Sequence, residues 1–332
     1  MASKPYRTVV VTGATAGIGR ATARAFADRG CDVALLARGE DGLAAAARDV
    51  TARGGRALPI AVDVSDWRAV DEAAERVEAE LGPVDVWVNN AMTSVFAPFL
   101  QVEPDEFERV TDVVYLGVVN GTRAALRRMV ERDSGRIVNV GSALAYRGIP
   151  LQSAYCGAKH AIQGFHDSLR SELFHDNSRI TIGMVQLPAN NTPQFRIVKS
   201  RMPRTPQPVP PIYQPEVAAD AIVWMAGTTS RELYVTPRAA LTIWGDKVAP
   251  GLLDRYLGRK GVNAQMTRDP EAAREDNLWK PIAGDAGAHG PFDSQAVAKD
   301  RSKLVLRHKS AAGVTLGAAA AGAVVAVRAS RR

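Results

Sequence analysis

The sequence predicts an α/β protein in which a doubly wound parallel sheet carries helices on both faces. Over the first 240 residues, short apolar runs rich in β-branched residues alternate with Ala-, Arg- and Glu-rich stretches of helical spacing. The apolar runs contain few polar residues, as strands covered on both faces require. Alternation of strand and helix builds βαβ units, whose strands run parallel in one sheet. These two observations together predict the fold class.

Each element is predicted from its own pattern. The predicted strands are 8–11, 33–36, 58–62, 84–88, 136–140 and 180–185, and the helical stretches between them include 21–28, 42–53, 68–81 and 123–131. The proline-rich segment 202–215 is predicted to be extended, because proline cannot donate the backbone hydrogen bond that a helix interior needs. A further helical stretch begins at Pro215 and runs to Ala226.

Three regions follow one another along the 332 residues. Residues 1–245 are predicted to form one α/β domain, and residues 246–309 a polar, largely irregular extension. Residues 310–332 form an Ala/Gly-rich tail whose uncharged part has basic residues on both sides. As a helix, residues 311–327 would span about 26 Å, slightly less than the roughly 30 Å of a bilayer core. Membrane association and a soluble tail both remain open interpretations.

The net charge of +7 belongs to the end of the chain. Residues 299–332 hold eight Lys and Arg against one Asp, whereas residues 1–298 hold 34 basic and 34 acidic residues. A basic tail could bind an acidic surface such as phospholipid, or could simply increase solubility. Because residues 1–298 carry no net charge, DNA binding by this part of the chain is disfavoured.

Two cysteines exclude a disulfide framework, and the five histidines show no metal-binding spacing. With no apolar leader at the start, we expect a cytoplasmic protein.

A glycine-rich turn follows the first predicted strand and opens the first helix. Its residues are Thr12, Gly13, Ala14, Thr15, Ala16, Gly17, Ile18 and Gly19. Glycines at such a junction permit a tight turn and let the backbone approach a pyrophosphate, whose charge meets the amides at the helix N-terminus. The turn therefore predicts a Rossmann-type dinucleotide site.

A second pattern places a tyrosine and a lysine four residues apart. Tyr155 and Lys159 would share one face of a helix, and Ser142 lies thirteen residues before the tyrosine. A free phenol titrates near pH 10, so a neighbouring ammonium that favours the phenolate would make it more useful as an acid–base group.

With these residues in view, residues 5–240 resemble the short-chain dehydrogenase/reductase family in its single-domain form. The matching segments, in family order, are the glycine turn 12–19, Asp63-Val64, Asn89-Asn90-Ala91, Ser142, Tyr155 with Lys159, and Pro188 with Thr192. The resemblance implies a reversible hydride transfer between a nicotinamide and a carbonyl or alcohol carbon. It also implies a small-molecule substrate and a homo-oligomer.

The resemblance implies a role for each matching residue. Tyr155 would be the general acid–base, Ser142 would bind the reacting oxygen, and Lys159 would bind the nicotinamide ribose. The implied cofactor-binding residues are Thr12, Gly13, Thr15, Gly17, Ile18, Gly19, Arg38, Asp63, Val64, Asn90, Ala91, Tyr155, Lys159, Pro188 and Thr192. Val114 stands where the family has an asparagine, and Asn120, one turn further on, is not assigned that role.

The end of the second predicted strand favours NADP(H) over NAD(H). An NAD-binding fold places an acid there for the adenosine ribose hydroxyls, but this strand ends in Arg38. A guanidinium offers forked donors that suit a 2′-phosphate.

Two alternative functions remain open at this stage. One is a membrane-attached oxidoreductase of a lipid- or steroid-like substrate, which the tail suggests. The other is a dinucleotide-binding protein without turnover, which Val114 suggests and the intact Ser142, Tyr155 and Lys159 oppose. Phe96, Phe99 and Phe195 are candidates either for the substrate wall or for the core.

Overall fold

The computed structural model describes residues 6–298, apart from the side chain of Arg238. The uncharged tail predicted at 310–332 lies outside the described residues. The strands are β1 (Thr8–Thr12), β2 (Asp32–Ala37), β3 (Ala57–Ala61), β4 (Val86–Asn89), β5 (Val95–Phe96), β6 (Arg136–Ser142), β7 (Thr181–Leu187), β8 (Lys199–Ser200), β9 (Arg204–Pro206), β10 (Ile212–Tyr213), β11 (Glu232–Tyr234), β12 (Met266–Pro270) and β13 (Ala296–Val297). The α-helices are α1 (Gly17–Ala27), α2 (Glu40–Thr51), α3 (Trp67–Leu81), α4 (Pro104–Thr111), α5 (Gly117–Met129), α6 (Ser153–His175), α7 (Gln194–Ile197), α8 (Pro215–Ala226), α9 (Pro237–Val248) and α10 (Pro250–Ala264).

The central sheet has seven parallel strands in the order β11-β7-β6-β4-β1-β2-β3. The chain builds outward from β1 to β3 and then returns to place β4 on the other side of β1. This reversal of direction opens a crevice at the carboxyl ends of β1 and β4, where doubly wound sheets bind ligands. The predicted fold class is confirmed, and six of the seven strands coincide with predicted ones. The seventh, β11, has three residues, too few for a recognisable pattern.

Two apolar layers cover the sheet. On one face, α1, α2 and α8 bury side chains such as Phe26, Val50 and Ile222. On the other face, α3 and α5 bury Val77 and Met129 among others. Both layers are fully enclosed, which explains why the sheet strands contain so few polar residues.

Beyond the sheet, the chain forms a helical hairpin and then a long return segment. The predicted boundary at residue 245 falls inside α9, and α10 occupies fifteen residues of the segment expected to be largely irregular. β12 then pairs antiparallel with β9. Residues 271–298, which we call the strap, contain only a 3-10 turn (Asp293–Gln295) and β13, and they cross the carboxyl edge of the sheet.

A buried carboxylate ties α4 to the loop that follows β8. Glu106 is 4% exposed and accepts two hydrogen bonds from Arg201, each of 2.7 Å, while Lys199 Nζ lies 3.3 Å away. Breaking a buried ion pair from one side leaves an uncompensated charge, so Glu106→Ala should lower the free energy of unfolding by about 3–5 kcal/mol. Urea unfolding measures it. Glu108→Ala, on the exposed side of the same helix, should change stability by less than about 0.5 kcal/mol; equal losses would contradict this account.

Candidate active site

The glycine turn at the end of β1 has the tight geometry that its sequence predicts. Gly13 and Gly17 have φ angles of +65° and +54°, a region that side chains disfavour. A Cβ on Gly19 would lie 2.1 Å from the carbonyl oxygen of Gly13. Only glycine therefore lets the turn fold back on the first turn of α1.

The N-terminus of α1 faces the crevice without a side-chain cap. Its N-cap is Ala16, which has no side-chain acceptor. The Gly17 amide donates to the carbonyl of Gly287 in the strap at 3.0 Å. Free amides at the first turn of a helix, aided by the helix dipole, form an anion site. This cradle fits a diphosphate.

The end of β4 holds the turn in place. The amides of Asn90 and Ala91 both donate to the Thr12 hydroxyl, and the Asn90 side chain donates to the carbonyls of Thr12 at 2.9 Å and Gly13 at 3.3 Å. Thr12 is buried behind the turn. Thr12 and the Asn90 side chain thus position the turn through their hydrogen bonds.

One cavity of about 520 Å³ unites the predicted residues. It is lined by Gly13, Thr15, Gly17, Ile18, Arg38, Asp63, Val64, Asn90, Ala91, Ser142, Tyr155, Lys159, Pro188 and Thr192. Of the predicted site residues, Thr12 and Gly19 do not line it. The cavity runs from the ends of β2 and β3 past the glycine turn to Tyr155, so its shape and donors fit an extended dinucleotide.

At one end of the cavity, charged groups from three elements meet. The Asp63 carboxylate accepts hydrogen bonds from Arg109 on α4 and from Ser65, and Arg38 Nη1 lies 4.0 Å from it. Burial alone would raise the pKa of Asp63, but the hydrogen bonds from Arg109 and Ser65 outweigh burial and lower it. Asp63 therefore stays ionised between two guanidinium groups.

At the other end, β6 and α6 bring the three predicted catalytic residues together. Ser142 is the last residue of β6, and its hydroxyl caps the following 3-10 turn by accepting from the Leu144 amide at 3.1 Å. Lys159 is buried, donates to the Val140 carbonyl at 2.7 Å, and has its Nζ 5.5 Å from the centre of the Tyr155 ring. Tyr155 and Lys159 do share one face of α6, as the spacing predicts.

Burial has the largest effect on the pKa values of Tyr155 and Lys159. It raises the pKa of Tyr155 above the ordinary phenol value; Cys156 raises it further, and the Ser142 hydroxyl opposes both. Burial also lowers the pKa of Lys159 to about 8. The phenol is therefore protonated at neutral pH, and the lowering of its pKa that we expected from the ammonium does not prevail in the protein alone.

Val114 lies in an apolar wall behind the tyrosine. It belongs to a π-helical turn (Asp112–Leu116) and is fully buried in an apolar cluster that includes Ala154 and Ala158 and against which Tyr155 packs. Asn120 instead donates to the carbonyl of Val64 at 2.9 Å. Asn120 therefore supports the loop that carries Asp63 and is not placed beside the tyrosine.

The pKa of Lys159 predicts a pH-dependent difference in stability. Below pH 8 the lysine is charged in both folded and unfolded chains, and its burial costs stability in full. Between pH 8 and 10.5 only the unfolded chain keeps the proton, so stability rises with pH. The free energy of unfolding of Lys159→Met should therefore exceed that of the wild type by up to about 3 kcal/mol below pH 8. The lost hydrogen bond to Val140 lowers this difference by an amount that does not depend on pH. That gain should fade towards pH 10.5.

Urea unfolding of the cofactor-free protein at several pH values measures this difference. Lys280→Met, at an exposed position, is the matched control for removing one lysine. A Lys159→Met difference that does not vary with pH would show that burial does not govern this ammonium.

Two of the three candidate aromatic residues line the substrate half of the cavity. Phe96 and Phe195 pack edge to face with ring centres 6.1 Å apart and both face the cavity. Phe99 is 64% exposed and lies outside it. Further lining comes from Leu144, Ile149, Val209, Leu257 and a buried hydrogen-bonded pair, Gln152 and Gln265.

Several lining residues were missed because they come from distant parts of the chain. Asn277, Pro281 and Ile282 of the strap line the cavity beside Arg38 and Gly39. Nothing in their local sequence signals a site, although the Gly- and Pro-rich composition of the segment indicated a loop.

Among residues 6–298, excluding the Arg238 side chain, no helix is long and apolar enough to span a membrane. The same part of the chain holds no cluster of ligands for a metal ion.

Comparisons with known proteins agree with this geometry. The family model described as short chain dehydrogenase matches residues 7–202. The uncharacterized oxidoreductase YxnA of Bacillus subtilis is 31% identical over 271 residues, which cover 81% of this chain and 76% of YxnA. The probable oxidoreductase EphD of Mycobacterium tuberculosis is 47% identical over 166 residues, which cover 50% of this chain and 28% of EphD. An actinorhodin polyketide ketoreductase solved with NADPH is 28% identical with a TM-score of 0.63, covering 71% of this chain and 97% of that one.

Proposed function

The chain belongs to the short-chain dehydrogenase family, an NAD(P)-dependent oxidoreductase family acting on CH–OH groups, and we propose that it uses NADP(H) to interconvert a carbonyl and an alcohol with Tyr155 as the acid–base. One observation carries the proposal. Ser142, Tyr155 and Lys159 meet at one end of a single cavity whose other parts are the glycine turn and Arg38. A dinucleotide in that cavity would reach from Arg38 to the tyrosine.

The protein's own groups account for the acid–base chemistry. When bound, the nicotinamide supplies or accepts the hydride. Tyr155 gives its phenolic proton to the carbonyl oxygen in reduction and takes it back in oxidation, and its burial keeps that proton in place at neutral pH. Ser142 donates a hydrogen bond to the same oxygen as charge develops on it. Lys159, held by the Val140 carbonyl, places its ammonium beside the ring of Tyr155.

The substrate half of the cavity favours an apolar carbonyl compound. Phe96, Phe195, Ile149, Val209 and Leu257 are among the residues that line it, and burying apolar surface against such side chains contributes about 25 cal/mol per Å².

A screen of NADPH consumption across ketones, aldehydes, steroids and acyl substrates tests the proposal. Apolar ketones or aldehydes should give the highest kcat/KM, and Ser142→Ala should lower kcat about 10²- to 10³-fold, because it removes a donor to the developing oxyanion. Turnover of only small charged substrates would contradict the apolar substrate class. A Ser142→Ala enzyme as active as the wild type would remove this serine from the mechanism.

A further inference from the structure

The strap contacts the dinucleotide cavity beside Arg38 and at the glycine turn. Near its start, the Asn277 amide donates to the carbonyl of Ile197, the last residue of α7, at 2.9 Å, and Leu278 is fully buried. Towards its end, the Phe292 amide donates to the side chain of Asn191, in the loop after β7, at 3.0 Å, and β13 pairs with β10. Both ends are therefore anchored on the substrate side of the domain.

At the first anchor and one residue beyond it, the strap meets the residue predicted to read the 2′-phosphate. Arg38 donates to the carbonyls of Asn277 at 2.5 Å, Leu278 at 3.3 Å and Trp279 at 3.1 Å. Arg109, which also holds Asp63, donates to the Leu278 carbonyl at 3.1 Å. A phosphate carries charge and is a stronger acceptor than a neutral carbonyl. A 2′-phosphate therefore competes with the strap for the Arg38 donors.

The next part of the strap reaches the glycine turn. Asp285 pairs with the buried Arg20 of α1 at 3.2 Å, the Gly284 amide donates to Asp41 at 2.9 Å, and the Gly287 carbonyl accepts from Gly17 at 3.0 Å. This last bond occupies an amide at the N-terminus that would face a diphosphate. Contacts of this kind exist only while the strap lies against the turn.

The middle of the strap has the composition of a segment that can move. Residues 280–287 are mostly exposed and contain two alanines and two glycines, and Gly284 and Gly287 have φ angles of +81° and +66°. Few buried apolar contacts hold them, in contrast to Leu278 and Phe292 at the anchors. Low local stability is characteristic of segments that open for ligands.

We propose that residues 279–287, between the two anchors, are part of the dinucleotide site and act as a clasp over its adenosine and diphosphate. The clasp opens to admit the dinucleotide and closes over it, and Arg38 exchanges between the strap carbonyls and the 2′-phosphate. This inference rests on the cofactor part of the proposed function alone and makes no use of the catalytic residues.

A reversible cross-link tests the clasp directly. A Cβ on Gly39 would lie 3.2 Å from the Cβ of Pro281, slightly closer than the roughly 3.5–4.5 Å between the Cβ atoms of a disulfide, so Gly39→Cys with Pro281→Cys should allow a cross-link. NADPH fluorescence in a stopped-flow instrument gives the association and dissociation rates. Oxidation of the double variant to the disulfide should slow NADPH association by at least about tenfold. If NADPH is bound before oxidation, the disulfide should slow its dissociation by a similar factor. Reduction should restore both rates.

The single variants Gly39→Cys and Pro281→Cys are the controls for oxidation elsewhere, since the native Cys31 and Cys156 are buried. Equal exchange rates in oxidised and reduced protein would overturn the clasp. Failure of the disulfide to form in the folded protein would do the same, because the strap would then not lie against Gly39. A wild type that binds no NADPH would instead contradict the proposed function.

An independent observation concerns the outer face of the hairpin formed by α9 and α10. Leu241, Trp244, Val248, Leu252 and Tyr256 are each 57% to 82% exposed. Leu241, Trp244 and Val248 recur at helical spacing on one face of α9, and Leu252 and Tyr256 do so on α10. Five exposed apolar side chains on one helical hairpin indicate an interaction surface.

The charges on this face are basic. Arg255, Arg259 and Lys260 are exposed on α10, and Lys247 Nζ lies 5.1 Å from the centre of the Trp244 ring. The two acids of the hairpin, Asp246 and Asp254, are both hydrogen-bonded to Arg147. Tyr256 and Lys260 also line the cavity. The face therefore combines apolar and cationic side chains beside the opening of the substrate half.

We infer that this face docks on an anionic phospholipid surface, so that apolar substrates reach the cavity from the bilayer. Aromatic and aliphatic side chains enter the boundary of the acyl chains, and Lys and Arg meet the phosphate headgroups. The inference uses α9 and α10 and is separate from the interpretation of residues 310–332, which lie outside the described residues.

Co-sedimentation of the full chain with vesicles tests the docking face. The wild type should bind vesicles of phosphatidylcholine mixed with phosphatidylserine better than vesicles of phosphatidylcholine alone. Leu241→Ser with Trp244→Ser should weaken binding by at least about tenfold, since two apolar side chains that enter the bilayer on docking are lost. Leu100→Ser, which removes an exposed leucine outside the hairpin, is the control. Unchanged binding in the double variant, or loss of a homodimer in sedimentation velocity without loss of vesicle binding, would overturn the inference.

Discussion

Replacing Tyr155 with phenylalanine is expected to lower kcat by about 10²- to 10⁴-fold, the range that general acid–base catalysis contributes. The change removes only the ionisable oxygen, and the ring keeps its packing against the apolar wall that contains Val114. Lys159 keeps its hydrogen bond to Val140, so the cofactor site stays intact. Steady-state kinetics give kcat, and titration of NADPH fluorescence gives the dissociation constant, which should change little.

A neighbouring tyrosine provides the control for the loss of a hydroxyl. Tyr146 is hydrogen-bonded to Glu232 at 2.7 Å and does not line the cavity. Tyr146→Phe should therefore affect stability more than kcat. A Tyr155→Phe enzyme with wild-type turnover would exclude this phenol as the acid–base, and equal losses in both variants would point to a general structural effect.

The second large effect is expected at the end of β2. The wild type should prefer NADPH to NADH, and Ala37→Asp with Arg38→Leu should lose about 10- to 100-fold in kcat/KM for NADPH, because a charge-assisted contact contributes roughly 1.5–3 kcal/mol. The new aspartate would repel the 2′-phosphate and favour the ribose hydroxyls of NADH. Comparing kcat/KM for the two cofactors measures the preference.

The structure adds a control that the sequence could not suggest. Arg38 also holds the strap carbonyls, so its removal changes two things at once. Ala37→Asp alone keeps those bonds while adding the repulsive charge, and it should lower NADPH use without releasing the strap. A wild type that prefers NADH, or a double variant with unchanged preference, would show that this position does not read the phosphate.

Features that depend only on residues close together along the chain could be predicted from the sequence. The six longer strands of the sheet follow from runs of apolar residues, because a strand buried on both faces allows almost no polar side chain. Tyr155 and Lys159 share a face because the helix repeat requires it. The close approach of the glycine turn to α1 follows from Gly19, where any Cβ would collide with Gly13. β11 escaped prediction because three residues carry too little pattern.

The protonation of the site could not be derived in this way. From spacing alone we expected Lys159 to lower the pKa of Tyr155. In the folded chain, burial raises the pKa of the phenol and lowers that of the lysine. Spacing tells which groups are near each other, whereas the balance of charge and desolvation depends on everything that surrounds them.

The sequence by itself thus determined the parallel sheet, the glycine turn and the face of α6 that Tyr155 and Lys159 share, all of which arise from periodicities and local sterics. Only the tertiary structure decided that residues 271–298 return across the cleft. Arg38 and Leu278 are 240 positions apart along the chain. Their bond uses a backbone carbonyl, which every residue has, so no residue type marks it in advance. Such a contact is set by the packing of Leu278 and Phe292 at the anchors of the strap, and packing is a property of the whole fold.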